Sequence, residues 1–302
     1  MVAYILMIWV VIFYAGNILV GKAVNEVPPL TMSFFRLVIA FVLLLPIGVR
    51  STWEHRNVFL KHKKPLMVMT LTGVCFFNVF LYAALNYTTA TKVSVLEASI
   101  PAATVFLSAF LLKERLHKIQ WAGVFLSLIG AVCVVTDGKW IMLFNGGWNV
   151  GDTLMIGAIV MWAVYSISVK KYMHLFPQYG AVMLMSGISV VVLFPAAALE
   201  WYFVSMPAWN GQLITGLLYL GIFPSVVALI FYNRGVELLG PSKASVFLNF
   251  LPVATMIGAY LWLGEPITFM QLFGVGVVIC GVMMTARSFG SSVSEKSKES
   301  LG

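Results

Sequence analysis

The chain contains 302 residues, of which 61% are hydrophobic and 10% are charged, and its formal net charge is +8. Soluble domains carry roughly 25% charged residues, so this composition excludes an ordinary water-soluble domain and indicates a protein solvated by lipid. The basic charge does not indicate nucleic-acid binding, because it follows the loops between apolar segments in the way expected of a membrane protein.

Ten apolar segments can be marked along the chain, each roughly 18 or more residues long, the length that an α-helix needs to cross about 30 Å of hydrocarbon. They are predicted to be helices because a spanning segment must satisfy its own backbone hydrogen bonds. The first has no basic residue before it and no clear cleavage site, so it is interpreted as a retained helix. The predicted spans are 3–21, 28–48, 66–85, 91–112, 119–136, 150–169, 178–199, 212–233, 244–263 and 269–286.

The distribution of basic residues predicts how the chain is oriented. With a cytoplasmic N-terminus, fifteen of the 19 Lys and Arg residues fall on the inner side, and only Lys22, Lys92 and Lys139 fall on the outer side. Such a bias marks the cytoplasmic loops of membrane proteins. The chain is therefore predicted to be a multi-pass protein of the plasma (inner) membrane with both termini in the cytoplasm.

One stretch of sequence occurs twice. Residues 84–136 align without a gap to residues 235–287, and the matches include Lys, Glu, Gln, Pro and Gly, which chance similarity between apolar segments would not produce. Five helices in each half would turn the second half upside down relative to the first, as in many transporters. The predicted organisation is a first repeat over 1–137, a linker over 138–149, a second repeat over 150–287 and a disordered cytoplasmic tail over 288–302.

The repeated motif resembles a known family. The first copy reads Pro101…Leu112-Lys113-Glu114-Arg115…Gln120…Gly123, and the second reads Pro252…Leu263-Gly264-Glu265-Pro266…Gln271…Gly274. These patterns, with Pro29…Phe35-Arg36-Leu37, resemble the EamA repeat of the drug/metabolite transporter superfamily. The resemblance implies an all-α integral membrane protein with ten transmembrane helices in two inverted five-helix EamA repeats. It also implies a central cavity and secondary transport, commonly the export of amino acids and related metabolites.

Two ionisable residues lie well inside the predicted spans, namely Arg36 and Glu97. Charges at such depth are costly and are usually functional. Both are about 10 Å from the outer ends of their helices at roughly 1.5 Å per residue, so they could form a buried ion pair. Two interpretations stay open: a fixed bridge between two helices, or a Glu97 that faces the cavity and binds a proton or a cationic group of the substrate.

Polar and aromatic residues within the spans are the candidates for binding a substrate, because a cavity for amphipathic metabolites needs apolar walls and a few fixed polar groups. Close helix packing is the alternative for the small residues among them. Trp9, Tyr14 and the Tyr232–Asn233 pair are equally compatible with interfacial or packing roles. The predicted substrate-binding residues are Asn17, Asn78, Tyr82, Ser94, Glu97, Trp162, Tyr165, Ser166, Ser245 and Asn249.

Residues that shape helices form a separate group of predictions. Pro101, Pro224 and Pro252 interrupt predicted helices, where proline removes a hydrogen bond and bends the axis, so they are candidates for static kinks or for gates. Glu114 and Glu265 are interpreted as helix-end caps. The spacing Thr268-x-x-Gln271 predicts a capping box at the start of the tenth helix.

Several other functions are not expected. The stretch from Gly16 to Ala23 imitates a phosphate-binding loop but has Ala23 where the motif needs Ser or Thr, so ATP hydrolysis is not expected. No His/Asp cluster or Ser–His pairing lies within the spans, so neither an enzyme nor a metal or other cofactor is predicted. The expectation is an alternating-access exporter of amino acids or related amphipathic solutes. The alternative is a transporter of organic cations or amines coupled to protons through Glu97, followed by a channel or an intramembrane enzyme.

The predicted orientation can be tested with single cysteines introduced at Val2 and Gly302 after the three native cysteines are replaced by serine. We expect a membrane-impermeant maleimide to label neither site in intact cells and both after permeabilisation, because both termini are predicted to be cytoplasmic. Labelling of only one terminus in intact cells would contradict the even number of spans.

Overall fold

The computed structural model describes residues 2–111, 118–136, 149–204, 207–239, 247–248 and 250–287. Throughout these ranges the chain is helical, with turns and short irregular connections between the helices. The helices are α1 (Val2–Ala23), α2 (Pro29–Glu54), α3 (Arg56–Lys61), α4 (Lys63–Met69), α5 (Phe77–Leu85), α6 (Ala90–Glu97), α7 (Ile100–Leu111), α8 (Lys118–Thr136), α9 (Val150–Tyr172), α10 (Gln178–Phe203), α11 (Gly211–Ile222), α12 (Ala228–Leu239), α13 (Leu251–Gly258) and α14 (Phe269–Arg287).

Six helical runs in the described part are long and apolar enough to cross a membrane, each with at least 22 residues. The runs are Val2–Ala23, Pro29–Glu54, Lys63–Leu85, Val150–Leu175, Gln178–Phe203 and Gly211–Gly235. Apolar side chains such as Val191, Leu261 and Phe269 are largely exposed on the bundle surface, as expected where lipid replaces water. The fold is therefore that of an all-helical, multi-pass membrane protein, and the shorter helices α7, α8, α13 and α14 complete it.

Three π-helical segments occur in the described part of the chain, at Thr70–Phe76, Phe223–Val227 and Ala259–Leu263, and the first two interrupt spanning runs. The first joins α4 to α5, and the second joins α11 to α12. These two segments occupy equivalent places in the repeat, because residues 73 and 74 of the first precede residues 224 and 225 of the second by the same 151 positions that separate the repeated sequences. π-helical turns are rare and are frequent at functional sites.

The prolines of the repeated motif stand at helix starts. Glu97 is the last residue of α6, and Pro101 is the second residue of α7. Pro252 is likewise the second residue of α13. The structure thus differs from the kinks predicted inside continuous helices over 91–112 and 244–263. Proline fits the first turn of a helix without loss, because the N–H that it lacks would have no intrahelical partner there.

The helices pack into one bundle in which α2 lies along α10, α8 lies along α14, and α1 contacts both α12 and α13. We call the end formed by residues 24–28, 86–89 and 264–268 the capped end. The opposite end, called the basic end, contains α3 and residues 173–177, where the rings of Phe59 and Phe176 stack with centroids 5.2 Å apart.

Two carboxylates from the second half of the chain cap helices of the first half at the capped end. Glu265 accepts hydrogen bonds from the Ala90 and Thr91 backbone N–H groups at 2.9 and 3.2 Å and from the Thr91 hydroxyl at 3.0 Å. Glu200 does the same for α2, accepting from the Thr31 N–H and hydroxyl, both at 2.7 Å. Both caps suit the positive end of the helix dipole and supply partners to N–H groups that the helix leaves free.

The caps fix the depth of the two helices that carry Arg36 and Glu97. The prediction that Glu265 serves a helix end is confirmed, although the helix is α6 and not one adjoining its own loop; Glu114 lies outside the described residues. The capping box is also confirmed, because the Thr268 N–H donates to Gln271 Oε1 at 3.1 Å and the Gln271 N–H donates to Thr268 Oγ1 at 3.2 Å.

Replacing Glu265 by alanine leaves the first two N–H groups of α6 without their acceptor. We expect this to cost about 1–2 kcal/mol of stability, the usual effect of losing a helix cap. The measurement is the thermal unfolding midpoint of the protein purified in detergent. Glu54→Ala is the matched control, because Glu54 forms an exposed ion pair with Arg50 one helical turn away and such pairs contribute about 0.3–0.5 kcal/mol. Equal shifts for the two variants would contradict the assigned cap.

Candidate functional site

Arg36 extends from α2 into the middle of the bundle and is only 3% exposed. Its Nε and Nη2 donate to Ser225 Oγ at 2.9 and 2.7 Å. Its Nη1 donates to Asn17 Oδ1 at 3.0 Å and Asn78 Oδ1 at 2.8 Å, and it also hydrogen-bonds the Tyr82 hydroxyl. All four partners are uncharged, so a buried guanidinium is held by neutral acceptors.

Further hydrogen bonds orient the acceptors around Arg36. The Tyr82 hydroxyl donates to Asn17 Oδ1 at 2.7 Å, and the Asn78 amide donates to the Val74 carbonyl at 2.9 Å. Ser225 donates to the carbonyl of Leu220, five residues earlier, at 2.6 Å. That spacing belongs to the π-helical turn, which therefore determines where the Ser225 hydroxyl lies.

A small cavity lies beside this network. Its volume is about 40 Å³, enough for a few water molecules, since about 10–15 Å³ holds one. Ligand pockets are usually about 300–1,000 Å³, so a metabolite requires the bundle to open from this conformation. The lining residues are Tyr14, Asn17, Arg36, Leu37, Gly73, Val74, Phe77, Asn78, Trp162, Pro224, Ser225 and Leu229.

Aromatic rings form the wall around Trp162. The Trp162 ring centroid lies 4.5 Å from that of Phe77, 5.1 Å from that of Tyr165, and 6.3 Å from that of Tyr14, with the last ring nearly perpendicular. Gly73 lets the π-helical backbone approach this wall, because a Cβ added there would lie 2.2 Å from Tyr165 Cδ2. The cavity thus has a polar side around Arg36 and an aromatic side around Trp162.

The predicted ion pair between Arg36 and Glu97 is not formed by these described residues. Amide and hydroxyl oxygens surround the guanidinium instead, and one carboxylate oxygen of Glu97 is buried without a hydrogen-bond partner. Arg36 lines the cavity, whereas Glu97 is only half-buried and is not among the lining residues.

Two more polar atoms of this region lack partners in the described part of the chain, namely the hydroxyls of Tyr14 and Tyr165. Both tyrosine rings pack against Trp162, with centroids 6.3 Å and 5.1 Å from its ring, respectively. Tyr14 precedes Tyr165 by the same 151 positions as the repeated sequence. Buried polar groups generally have hydrogen-bond partners, so this cluster marks a place for water or a ligand.

The predicted substrate-binding residues separate into groups. Asn17, Asn78 and Trp162 line the cavity, and Tyr82 and Tyr165 contact residues that do. Ser94 is fully buried and donates to the Thr91 carbonyl of its own helix at 2.8 Å, while half-buried Ser166 is not among the lining residues. Ser245 and Asn249 lie outside the described residues.

Among the lining residues with polar or aromatic side chains, sequence reasoning missed three. Ser225 follows the singled-out Pro224, but only the π-helical turn reveals that it faces Arg36. The sequence analysis assigns Tyr14 an interfacial or packing role. Two signals pointed to the cavity: Tyr14 lies one helical turn before Asn17 on the same face, and it precedes Tyr165 by the 151 positions that separate the repeated sequences. No comparable signal distinguished Phe77 from the other aromatic residues of its helix.

Comparison with known proteins decides the class of protein. A profile of the EamA-like transporter family matches residues 1–136 and 149–287, which is most of the chain. The chain belongs to this family. One similar protein is the uncharacterized transporter YyaM of Bacillus subtilis (strain 168), 25% identical over 286 residues that cover 93% of this chain and 92% of the relative. An uncharacterized transporter of Archaeoglobus fulgidus is 28% identical over 295 residues, which cover 93% of this chain and 96% of that relative.

A further relative has a more specific name. It is called a "Probable terminal-alkyne amino-acid exporter" of Streptantibioticus cattleyicolor, and it is 25% identical over 262 residues, covering 85% of this chain and 83% of the relative. A solved crystal structure is similar in fold, with a TM-score of 0.63 and 19% identity over 93% of this chain and 94% of that one. EamA membership therefore identifies a transporter and explains the many apolar helices.

Gly73→Ala tests the close approach of the π-helical turn to the aromatic wall. The added methyl group has to displace the Tyr165 ring, and such overpacking typically costs about 1–3 kcal/mol, so we expect a lower thermal unfolding midpoint. Gly276→Ala is the control, because a Cβ there meets no atom within 4 Å. A neutral Gly73→Ala would show that the contact with Tyr165 is not tight.

Proposed function

We propose that this EamA-family transporter is an alternating-access exporter of amino acids or related amphipathic solutes. The proposal includes ten membrane helices in two inverted five-helix repeats and a plasma-membrane location with both termini in the cytoplasm. The observation that carries it is the Arg36 network, a charged group held in a cavity near the middle of a membrane bundle. Charges at such depth usually mark a substrate or ion pathway.

Both halves of the chain build this site, as alternating access requires. Asn17, Asn78 and Tyr82 belong to the first half, whereas Ser225 belongs to the second. The two π-helical segments that line the cavity are equivalent positions of the repeat. A movement of one half against the other therefore changes the contacts around Arg36, which supports a carrier rather than a fixed pore.

The character of the cavity supports an amphipathic substrate. Its walls offer amide, hydroxyl and guanidinium groups on one side and the rings of Phe77 and Trp162 on the other. An amino acid with an apolar or aromatic side chain complements both sides. The amino-acid exporter named among the relatives points to the same substrate class.

A second candidate function is transport of organic cations or amines coupled to protons. The buried, unpartnered carboxylate oxygen of Glu97 favours it, since a carboxylate at membrane depth can hold either a proton or an ammonium group. This function needs no substrate carboxylate. Aliphatic and aromatic amines would then be transported as well as amino acids.

Flux measurements in proteoliposomes test the proposal. We expect saturable uptake of labelled phenylalanine or leucine that is accelerated when the same amino acid is loaded inside, because a carrier exchanges solutes across one alternating site. Arg36→Gln should reduce this counterflow at least tenfold, whereas Arg50→Gln, which alters an exposed arginine, should not. Non-saturating flux without counterflow would indicate a pore, and amine-only transport would favour the second candidate.

A further inference from the structure

The cavity beside Arg36 is lined by hydrogen-bond donors that lack acceptors. A guanidinium has five N–H groups, and the described hydrogen bonds of Arg36 use the one on Nε, one on Nη2 and both on Nη1, so the second N–H of Nη2 is left over. The amide N–H groups of Asn17 and the hydroxyl of Tyr14 likewise have no partner among the described residues. All three side chains line the cavity.

The side-chain acceptors of the same cavity are already occupied. Asn17 Oδ1 accepts hydrogen bonds from Arg36 and Tyr82, and Asn78 Oδ1 accepts one from Arg36. Ser225 Oγ accepts from both Nε and Nη2 of Arg36. The described lining residues include no aspartate or glutamate, and Arg36 forms no ion pair within the described part of the chain. The remaining space therefore offers donors and positive charge, which suit an anion and disfavour a cation.

The size of the cavity restricts the anion that it can hold. Its volume is about 40 Å³, whereas about 10–15 Å³ holds one water molecule, so only a few atoms fit in this conformation. Chloride is close to a water molecule in size and therefore fits, while a metabolite does not. Water fits equally well, but it would leave the charge of Arg36 without a counter-charge, which is costly at membrane depth.

We propose that this conformation binds one chloride ion in the cavity, held by the free Nη2 N–H of Arg36, the Asn17 amide and the Tyr14 hydroxyl. Chloride accepts several hydrogen bonds with little directional preference, so donors from α1 and α2 can converge on it. The ion supplies the counter-charge that the described protein partners of Arg36 do not provide. The inference goes beyond the proposed transport function and does not depend on it, because the ion serves the protein without a substrate.

Exchange of anions tests the site. The protein is purified in detergent in sodium gluconate, whose anion is too large for the cavity, and chloride then replaces gluconate at constant ionic strength. We expect the thermal unfolding midpoint to rise and to saturate, because a ligand that binds only the folded state stabilises it. Bromide, which is similar in size, should act in the same way. Equilibrium binding of radiolabelled chloride should saturate at one ion per chain.

Two variants separate the donors from the charge. Tyr14→Phe keeps the ring and removes one donor, so we expect the half-saturating chloride concentration to rise about tenfold, as for other hydrogen bonds to charged groups. Asn17→Asp places a carboxylate where Asn17 Oδ1 now accepts from Arg36 at 3.0 Å. We expect this variant to bind no chloride and to be at least as stable in gluconate as the wild type, because Arg36 then has a counter-charge of its own.

Tyr219→Phe is the matched control for Tyr14→Phe. Tyr219 packs against Gly16 of α1 but is not among the lining residues, and its hydroxyl donates to the Phe13 carbonyl at 3.4 Å. Its removal should therefore leave the chloride dependence as in the wild type.

Either of two results would overturn the chloride site and indicate that water fills the cavity. One is an equal midpoint of the wild-type protein in chloride and in gluconate. The other is a chloride effect that Tyr14→Phe and Tyr219→Phe leave equally unchanged. If Asn17→Asp is not recovered folded, the comparison of the two tyrosine variants decides alone. Saturable amino-acid flux without chloride binding would overturn this site and leave the proposed transport function intact.

Discussion

The structure depends on one costly constraint, a guanidinium buried within an apolar bundle whose described hydrogen-bond partners are all uncharged. Such a charge is tolerated only where several polarised groups converge on it, and no single helix can supply them. Arg36 therefore forms hydrogen bonds with Asn17 of α1, with Asn78 and Tyr82 of α5, and with Ser225 of the second half of the chain. The requirement to solvate one cation brings four segments together and leaves a cavity between them.

Helix irregularity is the means by which the bundle meets this constraint. In a regular α-helix through Phe223–Val227, the Ser225 side chain would point in a different direction around the helix axis. The π-helical turn directs it toward Arg36, and the Ser225 hydroxyl donates a hydrogen bond to the Leu220 carbonyl. The equivalent turn at Thr70–Phe76 brings Gly73 against the Tyr165 ring. Both departures from regular geometry thus lie at the cavity, consistent with the association of π-helical turns with function.

Much of this arrangement follows from sequence, and the exceptions have physical causes. Depth along a helix can be counted at 1.5 Å per residue, so Asn17, Asn78 and Trp162 could be predicted near the cavity and Arg36 and Glu97 at one level. The direction in which a side chain points around the helix axis cannot be counted in the same way where an α-helix gives way to a π-helical turn, as it does at Ser225. The expected Arg36–Glu97 pair was wrong for a different reason: equal depth does not make two side chains point at each other, and neutral oxygens contact the guanidinium instead. The sequence predicts one kinked helix over 91–112, whereas the structure has two helices, α6 and α7. The difference arises because a proline in the first turn of a helix and a proline in mid-helix look alike in sequence.

The two carboxylate caps give the capped end a distinct physical character. Four backbone N–H groups, of Leu30, Thr31, Ala90 and Thr91, rely on oxygens that the other half of the chain provides. If the proposed alternating access separates the halves at this end, water can hydrate both the freed amides and the freed carboxylates, so the separation exchanges hydrogen bonds instead of losing them. Hydration would therefore lower the free-energy cost of separating the two halves at this boundary.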